Sequence, residues 1–283
     1  MLLKAQPFGI TLLGRNQIFP GVHKVNIPIE LAHNQISEPR HATKRRPQAY
    51  IKRLSALESR SISEMYDLFG VYYDATSRSL FDSDLSDKDF VVVLHDETGA
   101  VVGFSTLAIL NVEIEGCPLR AIYSGDTIID RAYWGTQALA FTWLRFAGAV
   151  KAQVPDCPLY WFLIVKGHRT YRYLSAFSVD FYPNWKTPTP CWAQSIMAGL
   201  ARRRFKDAYD AERGVVSFQQ SRGHLKPIWA AVEPDEASRP DVAFFLRNNP
   251  GYDHGDELVC LTELCSGNLR PLARRVFDQG EGN

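Results

Sequence analysis

Excess charge of either sign is missing from this chain. Its 32 Lys and Arg nearly balance 31 Asp and Glu, for a formal charge of +1 over 283 residues. Bulk electrostatics therefore points to neither nucleic acid nor an anionic membrane surface. The two basic runs, Lys44-Arg45-Arg46 and Arg202-Arg203-Arg204, are short and are read as solvated faces. Long apolar runs are missing as well. No stretch approaches the roughly 18 apolar residues that span a bilayer, so no membrane span is expected. The opening MLLKAQPFGITLLGRNQIF has no apolar core of signal-peptide length. Cysteine is sparse: five residues, Cys117, Cys157, Cys191, Cys260 and Cys265, with no CxxC and no adjoining His or basic cluster. An odd, scattered set reads as reduced thiols acting as small hydrophobes in the cytoplasm. Internal repeats and low-complexity tracts are absent.

What remains is ordinary globular material, 46% hydrophobic and 22% charged, long enough to bury a proper core. Residues 1–48 carry Pro20, Pro28 and Pro39 and read as an irregular arm. A strand is expected over 49–57 and a helix over 61–73, with Ser61 and Glu64 at capping-box spacing. Residues 90–94 and 101–110 form a hairpin around Asp96–Gly99. A turn at Gly116-Cys117-Pro118 leads to a strand over 119–129, then a helix over 136–150. The apolar run 159–165, LYWFLIV, reads as a strand buried on both faces. A helix over 168–177 and a strand over 179–182 follow. The order β-α-β-β-β-α-β-α-β predicts an α/β fold with a mixed sheet over 49–190. Residues 191–283 form an extension with a helix over 193–209 and a strand over 257–264.

The most informative stretch is 122–139, IYSGDTIIDRAYWGTQAL. It begins as an apolar strand, carries Asp126 and Asp130, and turns at Gly135 into a helix. A carboxylate in an apolar strand must be paired or have a raised pKa; the alternative for Asp126 is a backbone-bonded group at a bulge made by Gly125. Asp130 reads as a turn or cap residue. The first turn of a helix offers unpaired amides and partial positive charge, and a glycine there lets a phosphate approach.

This order of elements, with YWGTQAL at its centre, resembles the GNAT N-acyltransferase superfamily. There a central strand runs into a helix through an Arg/Gln-x-x-Gly-x-Gly/Ala loop whose amides bind the pyrophosphate of coenzyme A. Gly135 matches the first loop glycine; Gln137 stands in place of the second, and Trp134 in place of a basic residue. The resemblance implies an acyl-CoA donor (acetyl-CoA or longer), an amine acceptor and no metal. It implies that two neighbouring strands splay, so that the backbone of Ile128, Ile129 and Asp130 meets pantetheine. Trp134, Gly135, Thr136, Gln137 and Ala138 then surround the pyrophosphate, and Arg131 adds a charge-assisted bond. Asp126 is the implied general base. Tyr173, ahead of Tyr171 on the same helix, is the implied acid for the departing thiolate. His168 is expected exposed and inert. The two loop departures leave an acyl carrier protein open as donor, as in N-acyl amino acid or acyl-homoserine lactone synthases, and also a non-catalytic acyl-CoA sensor. Residues 191–283 are expected to shape or cover the acceptor site. Asp253, His254 and Asp256 are read as turn residues rather than metal ligands.

Overall fold

The structure, a computed structural model, describes residues 46–282; the arm expected over 1–48 lies almost wholly outside them. Runs of β-branched and aromatic residues build the strands, and amphipathic segments cover the two faces. In chain order the elements are β1 (Gln48–Arg53), α1 (Ser59–Tyr72), β2 (Tyr73–Asp74), α2 (Arg78–Ser86), β3 (Phe90–His95), β4 (Val101–Ile114), β5 (Cys117–Ile129) and α3 (Ala138–Gln153). Then come β6 (Leu159–Val165), α4 (His168–Phe177), α5 (Cys191–Phe205), β7 (Tyr209–Asp210), β8 (Val215–Val216) and β9 (His224–Leu225). The chain closes with α6 (Pro227–Ala230), α7 (Pro234–Ala237), α8 (Pro240–Asn248), β10 (Glu257–Glu263) and α9 (Pro271–Glu281).

Eight strands form one mixed sheet in the order β1-β3-β4-β5-β6-β10-β8-β7. Among the described residues its one parallel pair is β5 with β6, the pair bridged by α3. Side-chain alternation sends each strand to two cores. On one face Val92, Leu94, Trp161 and Leu163 pack with Trp143 of α3, Leu174 of α4 and Phe277 of α9. On the other, Val91, Val93, Phe104 and Ile128 meet Met65, Phe69 and Phe81 of α1 and α2. Farther along that face, Tyr123 and Phe162 meet Met197 and Leu200 of α5.

Two irregularities in β5 position the site. Pairing with β6 runs only from Arg120–Leu159 to Ser124–Leu163. Beyond it β5 continues to Ile129 and β6 to Val165, and the two separate. On its other edge β5 bulges: Ser105 faces Thr127 and Leu107 faces Ser124, so Gly125 and Asp126 stand opposite Thr106 alone. Gly125 is required here. A Cβ would lie 2.6 Å from Thr106 Oγ1 and 2.7 Å from Lys88 Cε.

Several local expectations change. The capping box does not form, because α1 begins two residues before Ser61, with Glu58 in the cap position. Glu64 instead accepts from Arg60 Nε at 2.7 Å and from the Val101 amide at 3.1 Å, tying α1 to β4. The first strand stops at Arg53 and gives way to a short 3-10 turn. The strand expected over 179–182 is reduced to isolated bridges, Ser178 to Leu269 and Tyr182 to Leu261. Residues 191–282 contribute β10 to the sheet edge left by β6, and α9 packs on α3 at backbone contact. There a Cβ on Gly148 would lie 2.0 Å from the Phe277 carbonyl, and one on Gly280 1.9 Å from that of Arg145.

Candidate active site

A cavity of about 310 Å³ opens where β5 and β6 part. Asp126, Ile128, Ile129, Trp134, Gly135 and Tyr173 all line it, so residues spread over 48 positions of sequence meet in one place. Behind it a smaller apolar slot of about 40 Å³ lies under α3, walled by Leu139, Trp143, Trp161 and Phe177. The two share Gly125, Thr127, Ile129, Ile164, Thr170 and Tyr173, the rim of the opening.

The bulge turns Asp126 toward the cavity. Its carboxylate has no hydrogen-bond or ion-pair partner among the described residues. Burial, and then the Asp84 carboxylate, push its pKa up to about 6, against the pull of Lys166 and Lys88. The backbone-bonded alternative for Asp126 is thus only half realised: the bulge is there, the bond is not. Around it stand four groups that the sequence did not single out. Lys88 is buried and donates to Asp84 Oδ2 at 2.5 Å and to the Asp84 carbonyl at 2.7 Å. Lys166 lies 3.5 Å from the buried Glu257 of β10 and 5.5 Å from the Tyr73 ring centre. Burial pushes Glu257 up to about 7, opposed by Lys166. Burial pulls Lys166 down, but Glu257, Tyr73 and Asp126 outweigh it and hold the ammonium charged. Lys166 and Glu257 sit at strand ends, where a charge ordinarily marks solvent, so periodicity alone carried no signal. Arg204, expected on a solvated face, instead places its guanidinium 4.0 Å over the Tyr123 ring.

At the end of β5 the Asp130 amide donates to Val102 of β4. By strand alternation the peptide groups of Ile128 also face β4, and those of Thr127 and Ile129 face the opening. Ile128 therefore contributes a buried side chain rather than the expected backbone contact. The Ile129 carbonyl accepts from Trp134 Nε1 at 2.8 Å. Asp130 caps the following 3-10 turn, accepting from the Ala132 amide at 2.8 Å. Gly135 has φ of +90°, a conformation that a side chain would strain, and a Cβ there would meet nothing within 4 Å. Gln137 occupies the cap position of α3 without a side-chain cap bond. The Ala138 amide is bonded only to Thr136 Oγ1, at 3.4 Å. Among the described residues the amides of Leu139 and Ala140 have no partner. These orphan donors fit an oxyanion at the helix start. Two guanidiniums stack on nearby indoles: Arg131, 5.7 Å over Trp229, and Arg169, 5.4 Å over Trp134.

On α4 the two tyrosines separate cleanly. Tyr171 is in the core, its hydroxyl donating to Pro183 O at 2.8 Å. Tyr173 is 36% exposed and lines both cavities, and its phenol pKa is raised by burial. His168 is a correction: it is 2% exposed, its Nε2 is 3.1 Å from Glu236, and burial lowers its pKa. Among the aromatics, Tyr72, Tyr73 and Phe81 line the cavity and Trp161 the slot, whereas Phe162 and Phe181 are core. Among the described residues no group of three or more His, Cys, Asp or Glu is placed to hold a metal; Asp256 is bonded to Arg213 at 2.9 Å. No helix among them is long and apolar enough to cross a membrane, and all five cysteines are free.

No protein-family model and no curated protein sequence matches the chain. Solved structures similar to it include a probable N-acyltransferase from Enterococcus faecalis V583, with 15% identity and TM-score 0.35, covering 47% of this chain and 33% of that one. This chain thus spans about a third of that protein. Another is the Escherichia coli GNAT family N-acetyltransferase YhbS in complex with CoA, with 16% identity and TM-score 0.34, covering 48% and 72%. A third is glucosamine-6-phosphate N-acetyltransferase from Arabidopsis thaliana, with 17% identity and TM-score 0.30, covering 45% and 90%. Likeness of that extent carries no assignment of its own; what the chain itself has is one parallel strand pair, β5 and β6, joined through a glycine turn and a helix and parting at the carboxyl ends, in the element order expected from the sequence.

Proposed function

We propose that this protein is an N-acyltransferase that moves an acyl group from a pantetheine thioester, acyl-CoA, to an amine. The observation that carries the reading is the Asp126 carboxylate. It is unpartnered, has a raised pKa, and stands in a cavity that reaches the opening between β5 and β6. The donor's pyrophosphate rests against the loop from Gly135 to Ala138 and on the unpartnered amides of Leu139 and Ala140 in the first turn of α3, with Arg131 as the nearby cation. Its pantetheine arm lies along the Thr127 and Ile129 edge of β5, adding strand-like bonds to an open edge. Bonding there requires the Trp134 indole to share or release the Ile129 carbonyl.

The amine enters from the cavity side. Its nitrogen attacks the thioester carbonyl carbon and passes a proton to Asp126, directly or through water. The carbon–sulfur bond then breaks, and the departing thiolate takes a proton from the Tyr173 hydroxyl. Holding both reactants together supplies up to about 7–11 kcal/mol of the barrier in well-aligned cases. Residues 191–283 shape the acceptor end, through Phe205, Phe218, Arg222 and Glu257. The test is release of free thiol from acetyl-CoA and longer acyl-CoAs in the presence of an amine pool. Turnover that falls with Asp126→Asn is the expected result. CoA binding without turnover across a broad amine panel would make the protein a sensor, and turnover with acylated carrier protein alone would move the donor.

A further inference from the structure

The cavity wall carries seven charged or titratable ionic side chains, and five are matched by opposite charge. Asp84 has Lys88, Glu257 and Lys166 have each other, and His168 and Arg169 share Glu236. Two are left over among the described residues. Asp126 has no partner, and Arg222 touches only the Phe218 ring, 4.8 Å from its centre. Asp126 is half-buried and Arg222 is exposed, yet both line the same cavity, so a ligand that enters it meets a carboxylate and a guanidinium that no protein side chain occupies.

Between these two groups the wall is aromatic. Tyr123 of β5 meets Phe205 at 5.9 Å between ring centres, Phe205 meets Phe218 at 6.4 Å, and Phe218 meets Arg222. Across the cavity Phe69 and Tyr73 are stacked at 4.5 Å, with Phe81 at 5.5 Å from Phe69. The volume of about 310 Å³ is at the small-ligand end of binding pockets and suits a free small molecule better than a folded polypeptide. A planar guanidinium recognises carboxylate or phosphate through two parallel bonds.

We infer that the acceptor is a small amine with an apolar, ring-bearing body and an oxyanion at its far end, the nitrogen facing Asp126 and the oxyanion held by Arg222. This rests on the acyl-transfer reading and adds Arg222 as the residue that selects the substrate class.

The test uses the full chain, acetyl-CoA and three probes: para-(aminomethyl)benzoate, the corresponding phosphonate, and neutral para-(aminomethyl)benzamide. Thiol release gives kcat/KM for each, and calorimetric titration gives each probe's affinity. An oxyanion probe is expected to be favoured over the benzamide by about 10-fold or more, its carboxylate or phosphonate form naming the group. Arg222→Gln is expected to abolish that preference, and Arg222→Lys to restore part of it. Equal kcat/KM for all three overturns the oxyanion requirement and leaves acyl transfer standing. If no probe releases thiol, oxyanion binding that depends on Arg222 upholds the recognition claim, and acyl transfer is decided by the broad amine panel with longer donors. Absence of that binding as well overturns the recognition claim.

Discussion

At the residue scale the proposed base sets a pH dependence, because a carboxylate must lose its proton before it can accept one. With its pKa pushed up to about 6 by burial and Asp84, Asp126 is protonated and idle in acid. The rate of acyl transfer, as kcat/KM, is expected to rise through about pH 6 and then level. Asp126→Asn should lower it by about 10²–10⁴-fold and abolish that rise. The same shift has a stability sign. A carboxyl whose folded pKa is raised binds more protons folded than unfolded between its ordinary value and about 6, so stability is lost as pH rises through that window. Asp126→Asn is therefore expected to raise stability by about 1–3 kcal/mol at pH 8, with little gain at pH 4, by urea melts at the two pH values. A catalytically neutral Asp126 would leave kcat/KM and its pH profile unchanged in Asp126→Asn, and an Asp126 of ordinary pKa would give the same stability change at both pH values. Tyr173→Phe should reduce kcat by about 10-fold or more with KM little altered, and a donor with a more acidic thiol should escape the loss. Asp126 was legible because one carboxylate inside an apolar strand is anomalous by itself. Lys166, Glu257 and Arg222 were not, since each looks like an ordinary terminal or loop charge until the fold brings it to the cavity, and neither was Lys88, which pairs with Asp84 of the cavity wall.

Elements were read well where one physical signal dominated. The apolar run of β6 and the amphipathic turns of α4 appear over the same residues as expected, 159–165 and 168–177. The helix α2 was missed because RSLFDSDLS buries only Phe81 and Leu85, too few for a periodic signal. Its start depends on Ser77, whose hydroxyl accepts from the Leu80 amide at 3.2 Å. The turn between β4 and β5 was placed one residue late. Its central pair is Glu115 and Gly116, both with positive φ, 52° and 79°. That geometry matches the right-handed twist of the hairpin strands, and Asn-Gly satisfies it best. Glu115→Asn is expected to stabilise the protein by about 0.5–1 kcal/mol in equilibrium denaturation. A neutral or destabilising result would mean that the turn does not hold Glu115 in that conformation.

At the scale of the whole molecule the issue is whether residues after 190 are an accessory or part of the unit that folds. β10 was legible as a strand, but its neighbour was not, because pairing across about ninety residues leaves no local trace in composition. In the sheet it covers the free edge of β6 through Leu258–Val165 to Glu263–Tyr160, and it brings Glu257 to Lys166 in the cavity. Its partner in this closure is α9, seated on α3 so closely that Gly148 and Gly280 admit no side chain. α3 is the helix proposed to hold the donor at its first turn, and its far half packs on α9. One cooperative unit follows: far-ultraviolet circular dichroism and tryptophan fluorescence should report a single coincident urea transition. Gly280→Ala must push α9 off the α3 backbone and should lower stability by about 2–3 kcal/mol, shifting both signals together. Two separated transitions, with the mutation moving only one, would instead show that the sheet core stands without its C-terminal strand and helix, and that Glu257 is held in the site by a unit that can leave it.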